Sequence, residues 1–89
     1  MALDVELFSE LVSKPVTFAV LKSVLRSRAD NGWSIARKLN KTPQQVEEAL
    51  GELKSKGILE SESSSMDGVL DGIYYPTIRG VALGEDLKG

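Results

Sequence analysis

The stretch SIARKLNKTPQQVEEALGELKSKGIL, Ser34 to Leu59, decides how the chain folds. Ser34 is predicted to cap a short helix over Ile35–Leu39, with Ile35, Ala36 and Leu39 on its inner side. Asn40 follows as the left-handed residue that ends it. Thr42-Pro43-Gln44-Gln45 is a capping box with proline at the first helical position. The Thr42 hydroxyl accepts from the Gln45 amide, and the Gln45 side chain reaches back. The helix so opened carries Val46, Ala49, Leu50 and Leu53 on one face and stops at Gly57, after which Ile58 and Leu59 begin a strand. Its outer face holds Glu47, Glu48 and Glu52. What such a helix meets is the question the sequence poses.

Upstream, Leu3, Leu7, Phe8, Leu11 and Val12 fall at helical spacing, with Asp4 placed to favour the first turn. A short N-terminal helix over residues 3–12 follows. Pro15 opens a second helix running to about Arg28, with Phe18, Leu21, Val24 and Leu25 inward and Lys22, Arg26 and Arg28 outward. Asp30-Asn31-Gly32 reads as a turn in which Asn and Gly tolerate positive φ, and Trp33 as a core anchor beside a short strand.

Downstream, the chain from Glu60 to Gly72 is polar and turn-prone, with Ser63 to Ser65 and the pairs Asp67-Gly68 and Asp71-Gly72. Ile73-Tyr74-Tyr75 is a return strand closed by Pro76, so residues 57–77 form a hairpin with a long tip. Thr77 caps a last helix over residues 78–87. Its Gly80 and Gly84 lie on one side, and their cost to a helix points to close backbone approach there. With Ile78, Val81 and Leu87 nearby, that strip is the expected seat of a homodimer.

Eighty-nine residues suffice for one small domain, and its 42% hydrophobic content is well above that of disordered chains. The sequence has no cysteine and no histidine, which excludes disulfides and thiolate metal sites and removes the commonest metal ligand and general base. No enzyme activity, cofactor or metal is expected. MALDVELF lacks the basic and long apolar segments of a signal peptide, and no apolar run approaches the roughly 18 residues of a membrane span, so a cytoplasmic protein is expected.

The predicted order of helices, short strand and hairpin resembles the winged helix-turn-helix superfamily, an α+β, mostly helical fold with a small antiparallel wing, here with an extra N-terminal helix. Ala36, Asn40 and Val46 stand where helix-turn-helix proteins keep a small, a turn and a branched apolar residue. LKSKGIL resembles the run that leads into the wing. YYPTIRG is similar to the Y-x-L-T-x-x-G stretch that closes it in many bacterial and archaeal regulators, with Pro76 in place of leucine. The resemblance covers about Pro15 to Leu87.

It implies a DNA-binding transcriptional regulator. The residues facing the groove would then be Thr42, Gln44, Gln45 and Glu48, with Glu52 near its far edge. Gln44 or Gln45 would pair with adenine and Glu48 would accept from a cytosine amino group. Phosphate contacts would fall to Arg37, Lys38 and Lys41, in the one segment with a local excess of positive charge. Residues 57–77, in contrast, hold Glu60, Glu62, Asp67 and Asp71 and no Lys or Arg. The acidic helix and wing therefore leave a second class open: a winged helix that docks a protein partner and binds no DNA.

Overall fold

The computed structural model describes residues 5–62 and 68–88. The expectations for Leu3, Asp4, Ser63 to Ser65 and Asp67, and for the side chains of Leu7, Phe8, Val12 and Leu87, fall outside what it describes.

The helix opened by the capping box runs Pro43–Ser55 (α4). Gln45 N donates to Thr42 Oγ1 at 3.1 Å and Thr42 N to Gln45 Oε1 at 3.1 Å, satisfying two backbone donors that would otherwise lack partners. Gly57, at φ +73°, terminates it: Ile58 N donates to Leu53 O and Gly57 N to Lys54 O, both at 3.0 Å. This leaves Val46, Leu50 and Leu53 fully buried and Ala49 nearly so. They pack against Val20, Leu21 and Val24 of Pro15–Ser27 (α2), which are equally buried. Phe18, Leu25 and Leu39, expected inward, are half-buried at the margin of this core. The N-terminal helix Val5–Val12 (α1) contributes Leu11 to it.

Between α2 and α4 the structure departs from expectation. The chain reverses at Arg28, which takes φ +71°, and not at Asp30–Gly32. Asp30–Asn31 is a two-residue strand (β1). The next helix, Gly32–Leu39 (α3), begins earlier than the sequence suggested because Asn31, not Ser34, is its cap: the Asn31 side chain accepts from Ser34 N at 2.9 Å. Trp33 thereby falls on the first helical turn and is 47% exposed, outside the core where it was expected. Leu70 fills the inner position instead, pressed onto Gly32, where a Cβ would lie 2.6 Å from its side chain and 2.7 Å from its Cα.

Leu59–Glu62 (β2) and Ile73–Pro76 (β3) pair antiparallel, Leu59 opposite Pro76 and Glu62 opposite Ile73. β1 pairs with the other edge of β3, giving the order β1-β3-β2. A short 3-10 turn, Val69–Asp71, precedes β3. The last helix is Ile78–Lys88 (α5), capped by Thr77, whose Oγ1 accepts from Gly80 N at 3.1 Å. Close approach at its glycines is real but internal. A Cβ on Gly80 would stand 2.3 Å from Ile58 O and one on Gly84 3.1 Å from the Leu25 side chain. Gly80 and Gly84 thus dock α5 on its own molecule.

Candidate nucleic-acid interface

The turn between α3 and α4 sets the site. Asn40 takes the left-handed conformation at φ 54°, Asn40 N donates to Arg37 O at 3.3 Å, and Lys41 N to Ala36 O at 3.0 Å. Such a double closure fixes the path of the chain across the turn. Arg37, Lys38, Lys41, Thr42, Gln44, Gln45 and Glu48 are all exposed on and around the start of α4. They do not stand there equally free. Lys38 Nζ is held by Asp30 Oδ2 at 2.7 Å and by Ser27 Oγ at 3.3 Å. Burial works to raise the Asp30 carboxyl pKa, but the Lys38 ammonium, Ser34 and the Asn31 amide outweigh it and hold the group below the usual carboxylate range. Among the described residues Arg37 and Lys41 make no ion pair. The Gln45 carbonyl oxygen is engaged in the cap, in which Gln44 takes no part.

The carboxylates of α4 separate in three directions. Glu52, expected near the far edge of the groove, turns toward the start of α2, where it accepts from Lys14 Nζ and, at 3.2 Å, from Thr17 Oγ1. Lys14 also lies 3.7 Å from Glu10, which accepts from Lys56 Nζ at 2.7 Å. This chain of charges fastens the far end of α4 to α1 and α2. The Glu52 hydrogen bond raises the Lys14 pKa and outweighs its partial desolvation; the Lys56 contact lowers that of Glu10. Glu47 lies toward the sheet, where the pKa of the Tyr74 phenol is raised, chiefly by burial and further by the Glu47 charge. Only Glu48 is left beside Gln44 and Gly51 on the outer stripe of α4.

The wing is braced against this unit. Trp33 Nε1 donates to Asp71 Oδ1 at 2.8 Å, Lys54 Nζ to Ser61 Oγ at 2.7 Å, and the Tyr74 hydroxyl to Val69 O at 2.8 Å. Glu60 and Glu62 stay exposed on β2. Sequence reasoning missed the roles of Asn31, Trp33 and Lys54 here. The Asn31-x-x-Ser34 spacing carried the signal for the first; the other two depend on partners distant in the chain.

No protein-family model matches the sequence, and no curated protein matches it. Among solved structures, TubR bound to 24 bp of tubC, from Bacillus thuringiensis serovar israelensis, superposes with a TM-score of 0.79 at 15% identity, covering 99% of this chain and 96% of that one. A MarR family regulator from Neisseria meningitidis superposes with a TM-score of 0.75 at 20% identity over 93% of this chain. A mutant of Escherichia coli MarR complexed with operator DNA gives 0.67 at 23% identity over 79% of this chain. The chain spans 61% and 49% of those two MarR chains. Its architecture is that of the winged helix-turn-helix proteins, with an additional helix at the N-terminus.

Proposed function

We propose that the protein is a transcriptional regulator that reads double-stranded DNA with the N-terminal half of α4, acting in the cytoplasm as a dimer on paired half-sites. Gln44 and Glu48 face base edges, Thr42 and Gln45 hold the helix start, and Arg37 and Lys41 contact phosphates, with Lys38 in support through its exposed side. Two of the structural neighbours were solved on DNA. The observation that carries the reading is the placement of Glu52. With Glu52 drawn to Lys14 and Thr17 and Glu47 on the side nearer Tyr74, the outer stripe keeps Glu48 as its carboxylate, where the sequence suggested three. A single carboxylate has a partner in the groove, because cytosine offers an amino donor there.

Fluorescence anisotropy on labelled duplexes tests the assignment. Arg37→Ala and Lys41→Ala are each expected to weaken binding on all sequences and to flatten the salt dependence by about one unit per protomer. Glu48→Ala is expected to relax preference at one base pair while leaving affinity equal or higher. Arg37 and Lys41 variants that bind like the wild type would remove these two residues from the interface. The protein-docking reading loses the Glu52 charge that favoured it. It keeps Glu47 and Glu48 of α4 and the acidic wing, whose hairpin is held by its own contacts and stays solvated without a partner.

A further inference from the structure

We propose that the groove between α2, β3 and α5 docks an acidic segment of another protein, one that carries apolar side chains among its carboxylates. The groove lies apart from the exposed stripe of α4, and the proposal does not rest on DNA reading. Val20, Leu21 and Val24 of α2 are buried in the core, whereas Phe18, Lys22, Leu25 and Arg26, on another side of the same helix, line the groove. It measures about 870 Å³, with Tyr75 and Val81 adding apolar surface and Arg28 a third cation. Space of that size takes several side chains of a docked segment.

Charge complementarity names the occupant. Lys22, Arg26 and Arg28 are exposed and, among the described residues, none of them is in an ion pair. Lys22 Nζ stands 5.4 Å from the centre of the Phe18 ring, so a cation and an aromatic side chain are offered together. Glu85, which also lines the groove, offsets one of the three charges and leaves an excess of positive charge. Lys22 and Arg26 are one helical turn apart, about 6 Å along the axis, and Arg28 follows just past the helix end. A lone carboxylate neutralises only part of such a row. Carboxylates two apart on an extended segment, about 7 Å from one another, match its spacing. Apolar side chains of the same segment then cover Phe18, Leu25 and Tyr75, which the phosphates of a nucleic acid would leave in water. The charges draw the segment in and the apolar contacts hold it.

Selection of random displayed peptides on the immobilised full chain tests this, with peptides of about 12 residues, which when extended reach across the 37 Å long axis of the molecule. The selected sequences are expected to combine Asp or Glu with apolar residues. Synthetic copies are expected to bind the wild type at about 0.15 M salt, where distant charges are screened. Lys22→Glu and Arg26→Glu are each expected to weaken that binding by about tenfold or more, and Val81→Ser several-fold. Glu85→Gln, which removes the opposing carboxylate, is expected to tighten it. Lys54→Glu, an equal change of charge outside the groove, is expected to alter it by less than about twofold. Circular dichroism confirms that each variant is folded, and all five positions are exposed. A selection that enriches no acidic residues, or peptides that bind Arg26→Glu as they bind the wild type, overturns the proposal. So does labelled random duplex that loses as much affinity to Arg26→Glu as the peptides do, since the groove would then be a nucleic-acid surface.

Discussion

Gly51 and Gly80 both lie within helices, yet the surroundings of each predict opposite responses to a methyl group. At Gly51 a Cβ would meet nothing within 4 Å, so Gly51→Ala is expected to stabilise the protein by about 0.8 to 1 kcal/mol, the usual helix-propensity gain. At Gly80 it would strike Ile58 O, a carbonyl fixed by hydrogen bonds from Thr77 N and Thr77 Oγ1, both at 3.0 Å. Gly80→Ala is therefore expected to cost about 1 to 3 kcal/mol or more. Thermal melts of the two variants on either side of the wild type check this; a shift in the same direction for both would contradict the packing described for α5. Thr42→Ala belongs at the same scale. The lost cap is expected to cost about 1 kcal/mol, or on the order of 5 °C in melting temperature. An unchanged melt would deny the cap any energetic role. The cap was legible in the sequence because both partners lie within four residues. At Gly80 the sequence showed that something approaches closely, but its spacing could not say whether the neighbour is another molecule or Ile58.

For whole elements, apolar periodicity identified α2 and, with its capping box, α4; Thr77 marked the start of α5, and β-forming residues bounded by Gly57 and Pro76 marked the two strands of the hairpin. The start of α3 was misplaced. Asn31 and Ser34 are both good caps, and the choice between them is made by Leu70 packing on Gly32 and by the Trp33 to Asp71 bond, between residues 38 apart. The local Asn31-x-x-Ser34 spacing permits the earlier cap, but the contacts that select it lie far along the chain. The Asp30–Lys38 pair, which ties β1 to α3, yields a pH prediction. The Asp30 pKa is depressed in the folded protein, so its contribution is present above the unfolded value of about 3.9 and is lost as pH falls through the lower folded value. Lys38 is half exposed, so the effect is modest, under about 1 kcal/mol. Melts of wild type and Asp30→Asn are expected to differ most near neutral pH and to converge as pH falls toward about 3. A gap that stays constant over that range would show that the pair does not stabilise the fold through its charge.

Over the whole molecule, the question raised by the acidic helix is answered by tertiary structure. Glu47, Glu48 and Glu52 stand within six residues of each other, and the sequence alone places them together on the outer side of α4. Lys14 and Thr17 draw Glu52 away, Tyr74 lies near Glu47, and Glu48 remains. The candidate cations at Arg37, Lys38 and Lys41 were legible because they fall within one short segment of five residues. The restraint on Lys38 was not, because Asp30 had been read as part of a turn. Anisotropy of wild-type protein on random duplex, as salt rises from about 50 to about 200 mM, shows whether this arrangement binds DNA. Three cations per protomer in a dimer predict a slope of log affinity against log salt near −5, and hence a loss of about a thousandfold over that range. Binding that is absent at the lowest salt, or that is indifferent to salt, would show that these cations hold no phosphates.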